Sequence, residues 1–347
     1  MEVLVGDIGG TNARFRLLSK EGDQWCLRHQ STWPSGQFES LEALLDAMTF
    51  SLSRLEKTHI EEVWLAVAGP VRAGQVTFTN LPWQADALSL AARFGWSRVT
   101  LINDLEALAH AVPGLGETDL MPIQQGSPGN ANRLVVSVGT GLGVAILKMQ
   151  EGRLNVVASE GGHTDFAPAN PAQFRLLEYM GSRHGHVSHE RILSGHGLPE
   201  LYRFICEEHG LPSEKAILDA ADPTAAINQQ AESGQSPMAV ATIEQFAQLL
   251  GRFVGNAALF AAALGGVYLC GGVAARLHPY FTSDIFLNGF LDRGRMKPTM
   301  EQMPVWTIAS TEVGLRGITA LGTRYGVCGL TVNPCQKDAL SQKLSSL

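Results

Sequence analysis

Met1–Ser19 reads MEVLVGDIGGTNARFRLLS, and the contrast between its two halves decides the fold. Val3 to Gly6 are apolar or small and run into Asp7. After Gly9, Gly10 and Thr11, alternation resumes, with Ala13, Phe15 and Leu17 set against Arg14 and Arg16. Period-two alternation beyond the glycines predicts a second strand rather than a helix. Two commoner phosphate loops are thereby set aside. The dinucleotide fingerprint opens a helix after its glycines, and no GxGxxG stands here. The Walker loop needs Gly-Lys-Ser/Thr, and the chain contains no Gly-Lys dipeptide. What remains is a β-hairpin whose tight turn presents backbone N–H groups and a threonine hydroxyl. Such donors suit phosphate oxygens, and glycine lets the backbone come close. On this stretch alone an ordinary hairpin turn reads the same way.

Leu134–Lys148, LVVSVGTGLGVAILK, repeats the design: an apolar strand, a turn at Gly139-Thr140-Gly141, then Val144, Ile146 and Leu147. Two such hairpins, about 130 residues apart, predict a duplicated half-domain. A pair of phosphate-gripping hairpins resembles the hexokinase–actin superfamily. The first, with Asp7 and GGTN, is similar to its first phosphate motif, and the second hairpin to its second. The resemblance implies an α/β protein with the two-domain actin-like, hexokinase-like ATPase fold and a cleft between the domains.

At 347 residues the chain is long enough for two domains and a sizeable core. It is 45% hydrophobic and 17% charged, with a net charge of -7. An acidic protein that binds a polyanion does so locally, through backbone N–H groups and a metal ion. Its overall field disfavours nucleic acid and acidic membranes as partners. Cys26, Cys206, Cys270, Cys328 and Cys335 are scattered, with no CxxC pair. That pattern fits a reduced, cytoplasmic compartment and no structural zinc. No signal peptide is read, because Glu2 and Asp7 interrupt any apolar run at the start. Phe253–Ala275 is 23 residues without a charge, long enough to span a bilayer. Gly265-Gly266 and Gly271-Gly272 cut it, so a helix end, a short strand (Val267–Cys270) and a turn are expected instead.

Along the chain, helical spacing covers Glu39–Leu55, a buried strand covers Val63–Ala68, and Gln75–Asn80 alternates as an edge strand. A helix is expected at Ala87–Phe94 and a strand at Val99–Ile102, after which Asn103 and Asp104 cap a helix over Leu105–Ala111. Pro113-Gly114 marks the hinge, giving a small domain over residues 1–112 and a large one over 113–311. Ser159–Pro168 reads as a polar loop, and helices are expected at Phe174–His184, Leu198–His209 and Pro237–Leu264. A final amphipathic helix over Glu312–Tyr325 is expected to return to the small domain. The tail at 331–347 is weakly patterned and reads as loosely attached.

The segments GDIGGTNARF, AGP, TNLPW, IND, VGTGLG, EGGH, GHVSHERILSG and CGG stand in the order seen in bacterial ATP-dependent glucokinases, which the chain resembles over residues 3–325. EGGH and HVSHERILSG are the specific part. The related ROK sugar kinases usually carry a cysteine-rich zinc motif, and no cysteine lies between Cys26 and Cys206 here. Asp104 is the candidate base that takes the proton of the attacking sugar hydroxyl; by spacing alone it reads equally as a helix cap. As the start of a helix, the site favours its ionised form. The resemblance makes Asn103, Asp104, Glu160, His163 and Glu190 the glucose ligands. It sets Gly6, Asp7, Ile8, Gly9, Gly10 and Thr11, with Gly139, Thr140 and Gly141, around the ATP phosphates, and Gly271 and Gly272 beside the adenosine. Asp7 would face Mg²⁺, through water. His184, His186 and His189 lack the spacing of a catalytic zinc motif.

The resemblance thus implies transfer of the γ-phosphoryl group of ATP to D-glucose, the first step of glycolysis. It also implies domains that close over the sugar to exclude water, and a homodimer. A kinase for another hexose is the nearer alternative. A non-catalytic sugar sensor is the more distant one; such proteins usually append a DNA-binding helix-turn-helix, for which the strand at Val3 leaves no room.

Overall fold

The structure is a computed structural model and describes residues 1–55, 59–310 and 312–323. The chain begins with β1 (Glu2–Ile8), β2 (Asn12–Glu21), β3 (Gln24–Pro34), α1 (Leu41–Leu55), β4 (Ile60–Val67), β5 (Val71–Arg72), β6 (Gln75–Thr77), β7 (Gln84–Asp86), α2 (Ala87–Phe94), β8 (Arg98–Asn103) and α3 (Asp104–Ala111). Next come β9 (Leu120–Gln124), β10 (Arg133–Val138), β11 (Leu142–Gln150), β12 (Arg153–Ser159), α4 (Pro171–His184), α5 (Gly197–Glu208), α6 (Lys215–Leu218), α7 (Pro223–Glu232) and α8 (Pro237–Ala261). The last described elements are β13 (Val267–Cys270), α9 (Gly272–Phe281), α10 (Asp284–Leu291), α11 (Lys297–Met300), β14 (Val305–Ile308) and α12 (Val313–Gly322). They form two compact units: Met1–Leu115 with the segment that carries α12, and Gly116–Ser310.

In the first unit the main sheet has the order β3-β2-β1-β4-β8. β1 runs antiparallel to β2, in a register that closes at Ile8↔Ala13, and parallel to β4, which is parallel to β8. Because side chains alternate along a strand, β1 feeds two cores. Leu4 and Ile8 pack with Phe15, Leu41, Leu44 and Leu45. Val3 and Val5 pack with Ala107 of α3 and Leu315 and Ile318 of α12. The contact between these two helices is close enough that a Cβ at Gly317 would stand 1.7 Å from the Ala107 carbonyl oxygen. Gly317→Ala is expected to force them apart at a cost of about 1–3 kcal/mol. The check is urea unfolding, in which the midpoint falls; a wild-type midpoint would show that the packing yields freely.

In the second unit the sheet has the order β12-β11-β10-β13-β14-β9. β10 and β11 form the second antiparallel hairpin, and β10, β13 and β14 run parallel. The core of this unit gathers around α8, whose Ile243, Phe246, Leu250, Val254 and Ala258 recur at helical spacing and are all buried. The uncharged stretch from Phe253 resolves into the end of α8, β13 and the start of α9. Among the described residues no helix is long and apolar enough to cross a membrane.

Several boundaries differ from the sequence reading. Of Gln75–Asn80 only Gln75–Thr77 pairs, as the middle strand of a small sheet β5-β6-β7, because the Phe78 N–H donates to the Trp83 carbonyl and turns the chain away. α8 stops three residues short of Leu264, since Ala262 takes a left-handed φ of 48°. The turn after β13 is the start of α9, not a free turn. The sequence reading contains none of β3, β5, β7, β9, β12, β14, α6, α7, α10 and α11. β3 exposes or half-exposes almost every side chain, so it has no apolar face to read. β14 is four residues long, too short for a period to show. Cys26, Cys206 and Cys270 form no disulfide among the described residues. Cys328 and Cys335, the expected helix end at 324–326 and the tail at 331–347 lie outside the described residues.

Candidate active site

The first unit brings together the motifs GDIGGTN, AGP, TNLPW and IND. The Gly9-Gly10-Thr11 turn is closed by the Gly9 N–H donating to the Asn12 carbonyl at 3.0 Å. Ser35, fully buried in the 3-10 turn that follows β3, holds the glycine turn: its N–H donates to the Thr11 carbonyl at 2.9 Å and its hydroxyl to the Gly9 carbonyl at 2.7 Å. Ser35 thus holds the turn through the Gly9 and Thr11 carbonyls, while the Gly9 N–H is spent inside the turn. The Asn80 side chain stands against Gly10. Gly6 and Ile8 lie within β1, where Ile8 is core, so of the predicted run only Asp7 and the turn itself offer polar groups.

Asp7 lies half-buried one residue before the end of β1, with Oδ2 against Gly314 at the start of α12. Burial, and second the negative charge of Asp104, push its carboxyl up to about 6 against the pull of Arg14. Asn103 is the N-cap of α3: its Oδ1 accepts from the N–H groups of Leu105 at 3.0 Å and Glu106 at 3.4 Å, while its Nδ2 donates to the Gly69 carbonyl at 3.1 Å. An amide nitrogen has two hydrogens, and the second of Asn103 faces the Asp104 carboxylate. Asp104 therefore is not the cap. It is the first residue of the helix, with Oδ1 accepting from the Leu105 N–H at 2.9 Å. Its side chain reaches solvent, yet the surrounding protein desolvates it enough to raise its pKa, against hydrogen bonds from the Leu105 N–H, its own N–H and Asn103. The helix start does not dominate its proton affinity, as the sequence had suggested; desolvation does.

The second unit brings together EGGH, VGTGLG, HVSHERILSG and CGG. Glu160 follows β12, and a single 3-10 turn, Gly161–His163, places His163 back over it. His163 Nε2 lies 3.8 Å from Glu160 Oε2, and its Nδ1 lies 3.7 Å from Glu190 Oε1. Both separations exceed a direct hydrogen bond, so the three side chains stand close together without bonding one another. The Glu190 N–H donates to the Gly162 carbonyl at 2.9 Å, which sets the two segments side by side. Glu190 Oε2 accepts from the Leu142 N–H at 2.8 Å, directly after the Gly139-Thr140-Gly141 turn. The Gly195 N–H donates to the Gly139 carbonyl at 2.7 Å. Gly271 and Gly272 join β13 to α9.

The glucokinase family profile matches residues 4–324. A glucokinase of Marinobacter nauticus is 38% identical, over 92% of this chain and 97% of its own. One of Chromobacterium violaceum is 36% identical, over 91% of this chain and 88% of its own. The chain belongs to the glucokinase family. The crystal structure of a glucokinase from an Antarctic psychrotroph superposes with a TM-score of 0.79 at 31% identity, covering 93% of this chain and 99% of that one. The chain therefore has the two-domain hexokinase-like ATPase fold of those kinases and is an ATP-dependent sugar kinase, a phosphotransferase. The sequence reading of fold, family and glucose kinase activity is borne out.

For a glucokinase-family chain, the residues missed by the sequence reading are those that hold the turns. Ser35 sits in an unremarkable WPSGQF segment, and only the path of β3 brings it under Gly9. Gly195 was legible as part of LSG, but its bond to Gly139 was not. His189, beside Glu190, is buried between Phe166 and Phe253, and its Nδ1 has no hydrogen-bond partner among the described residues. Desolvation lowers its pKa to about 4, with Asp165 opposing. The folded chain keeps it neutral, while the unfolded chain protonates it near 6.5. Its contribution to stability is complete above pH 6.5 and lost as pH falls toward 4, on the order of 3 kcal/mol in all. Denaturant unfolding at neutral pH and near pH 4.5 should show this loss, and His189→Phe should flatten it. A variant with the wild-type acid dependence would assign the loss elsewhere.

Proposed function

We propose that the chain transfers the γ-phosphoryl group of ATP to the 6-hydroxyl of D-glucose. The observation that carries the reading is the shared bond between the EGGH–HVSHE wall and the second phosphate hairpin, Leu142 N–H to Glu190. A polyol wall built onto a phosphate turn suits chemistry that joins a sugar hydroxyl to a phosphoryl group. Glu160 and Glu190 accept from sugar hydroxyls, His163 donates or accepts, and Asn103 turns the N–H that faces Asp104 toward a sugar hydroxyl. The O6–H proton passes to the Asp104 carboxylate as the O6–Pγ bond forms, and the Pγ–O bond to ADP breaks. A raised pKa brings Asp104 closer to the proton affinity a base needs near neutrality.

The turns Gly9–Thr11 and Gly139–Gly141 would take the phosphates, and Gly271 and Gly272 would flank the adenosine. Hard carboxylate oxygens at Asp7, backed by Asp104, suit Mg²⁺ held through water. The ion would neutralise phosphate charge. Residues 1–112 with the C-terminal helix, and residues 113–311, act as the two domains of a cytoplasmic homodimer. A coupled assay of ADP release across glucose, mannose, fructose and N-acetylated amino sugars tests the reading. Glucose should give the highest kcat/KM, and preference for another hexose would replace glucose as the substrate.

A further inference from the structure

We propose that Glu190 is a positioning residue that couples sugar occupancy to the Gly139–Gly141 turn, so that sugar and nucleotide strengthen one another's binding. The proposal rests on reading Glu190 as a sugar ligand and the turn as a phosphate ligand, and goes beyond it by joining the two. The carboxylate is divided. Oε2 is committed to the Leu142 N–H at 2.8 Å, and Oε1 faces His163 at 3.7 Å. Oε2 is also wedged against the turn, only 2.6 Å from where a Cβ on Gly141 would stand. On the other side of the turn, the Gly195 N–H holds the Gly139 carbonyl at 2.7 Å, and the Thr224 hydroxyl holds the Gly195 carbonyl at 2.6 Å. The segment from Glu190 to Gly195 therefore grips both ends of the turn.

A sugar hydroxyl bound at Oε1 fixes the rotamer of Glu190 and with it the Leu142 N–H bond. The turn is then ordered before phosphate arrives. Phosphate that orders the turn fixes Glu190 for the sugar in return, because coupling between sites is reciprocal.

Gly141→Ala is the cross-site test. Gly141 lies outside the left-handed region, so alanine fits the backbone and only the tip of Glu190 has to move. Gly139→Ala is the matched control, because a Cβ there meets no atom within 4 Å. Calorimetry with glucose and no nucleotide should show Gly141→Ala at least about fivefold weaker than wild type and Gly139→Ala within about twofold. Equal affinities for wild type and Gly141→Ala, or equal losses in both variants, would overturn the coupling. A second arm repeats the titration with ADP present. Wild type should bind glucose more tightly with ADP, and in Glu190→Gln that gain should shrink toward none. An undiminished gain would overturn the proposal even if Gly141→Ala failed to fold. Wild-type protein that takes up no glucose in either arm would sink the sugar reading itself, a failure distinct from the loss of coupling alone.

Discussion

Replacing Asp104 with asparagine should lower kcat by roughly 10²–10⁴-fold and leave glucose affinity within about tenfold of wild type. Asparagine keeps the size of the side chain and can still accept from the Leu105 N–H through its carbonyl, but it cannot take a proton. The helix cap is unaffected, because Asn103 provides it. Loss of rate therefore reports proton transfer rather than an unravelled helix. Coupled turnover and calorimetric glucose affinity on one preparation separate the roles. Near-native turnover would falsify the base assignment, and lost affinity with intact kcat would make Asp104 a sugar ligand only. The wild-type rate should also fall on the acid side at a higher pH than an ordinary carboxylate would set, since the base works only when ionised and desolvation raises its pKa.

Glu190→Ala should raise the KM for glucose more than Glu160→Ala does. Each lost partner of a buried polar group costs about 1–3 kcal/mol, or roughly 5–150-fold in affinity. Glu190 offers its sugar hydroxyl partner a carboxylate only 31% exposed, and its loss also leaves the Leu142 N–H beside the second turn without its acceptor. Glu160 is 78% exposed, so water replaces its partner at small cost. Steady-state kinetics over a range of glucose concentrations decides the order. Equal effects would place the two carboxylates in the same environment, and unchanged KM in both would remove them from the sugar wall.

The sequence by itself determined the two strand–glycine–strand hairpins, because an apolar run into a glycine turn, followed by a second apolar-patterned run, is a local signal that survives folding. It also determined the core strand Val267–Cys270, and the family, since EGGH and HVSHERILSG are specific as strings. The chemical types of the candidate ligands came with them. Tertiary structure decided everything that depends on approach between distant segments. It gave the cap to Asn103 and left Asp104 to chemistry, a distinction that neighbouring Asn-Asp residues do not reveal. It set Ser35 under the first turn, directly after a strand with no apolar face. It also split the Glu190 carboxylate between His163 and the Leu142 N–H, residues 27 and 48 positions away in the chain. Proton affinities belong to the same class. Asp7 rises to about 6 and His189 falls to about 4 for one reason, desolvation by residues brought close only when the chain folds.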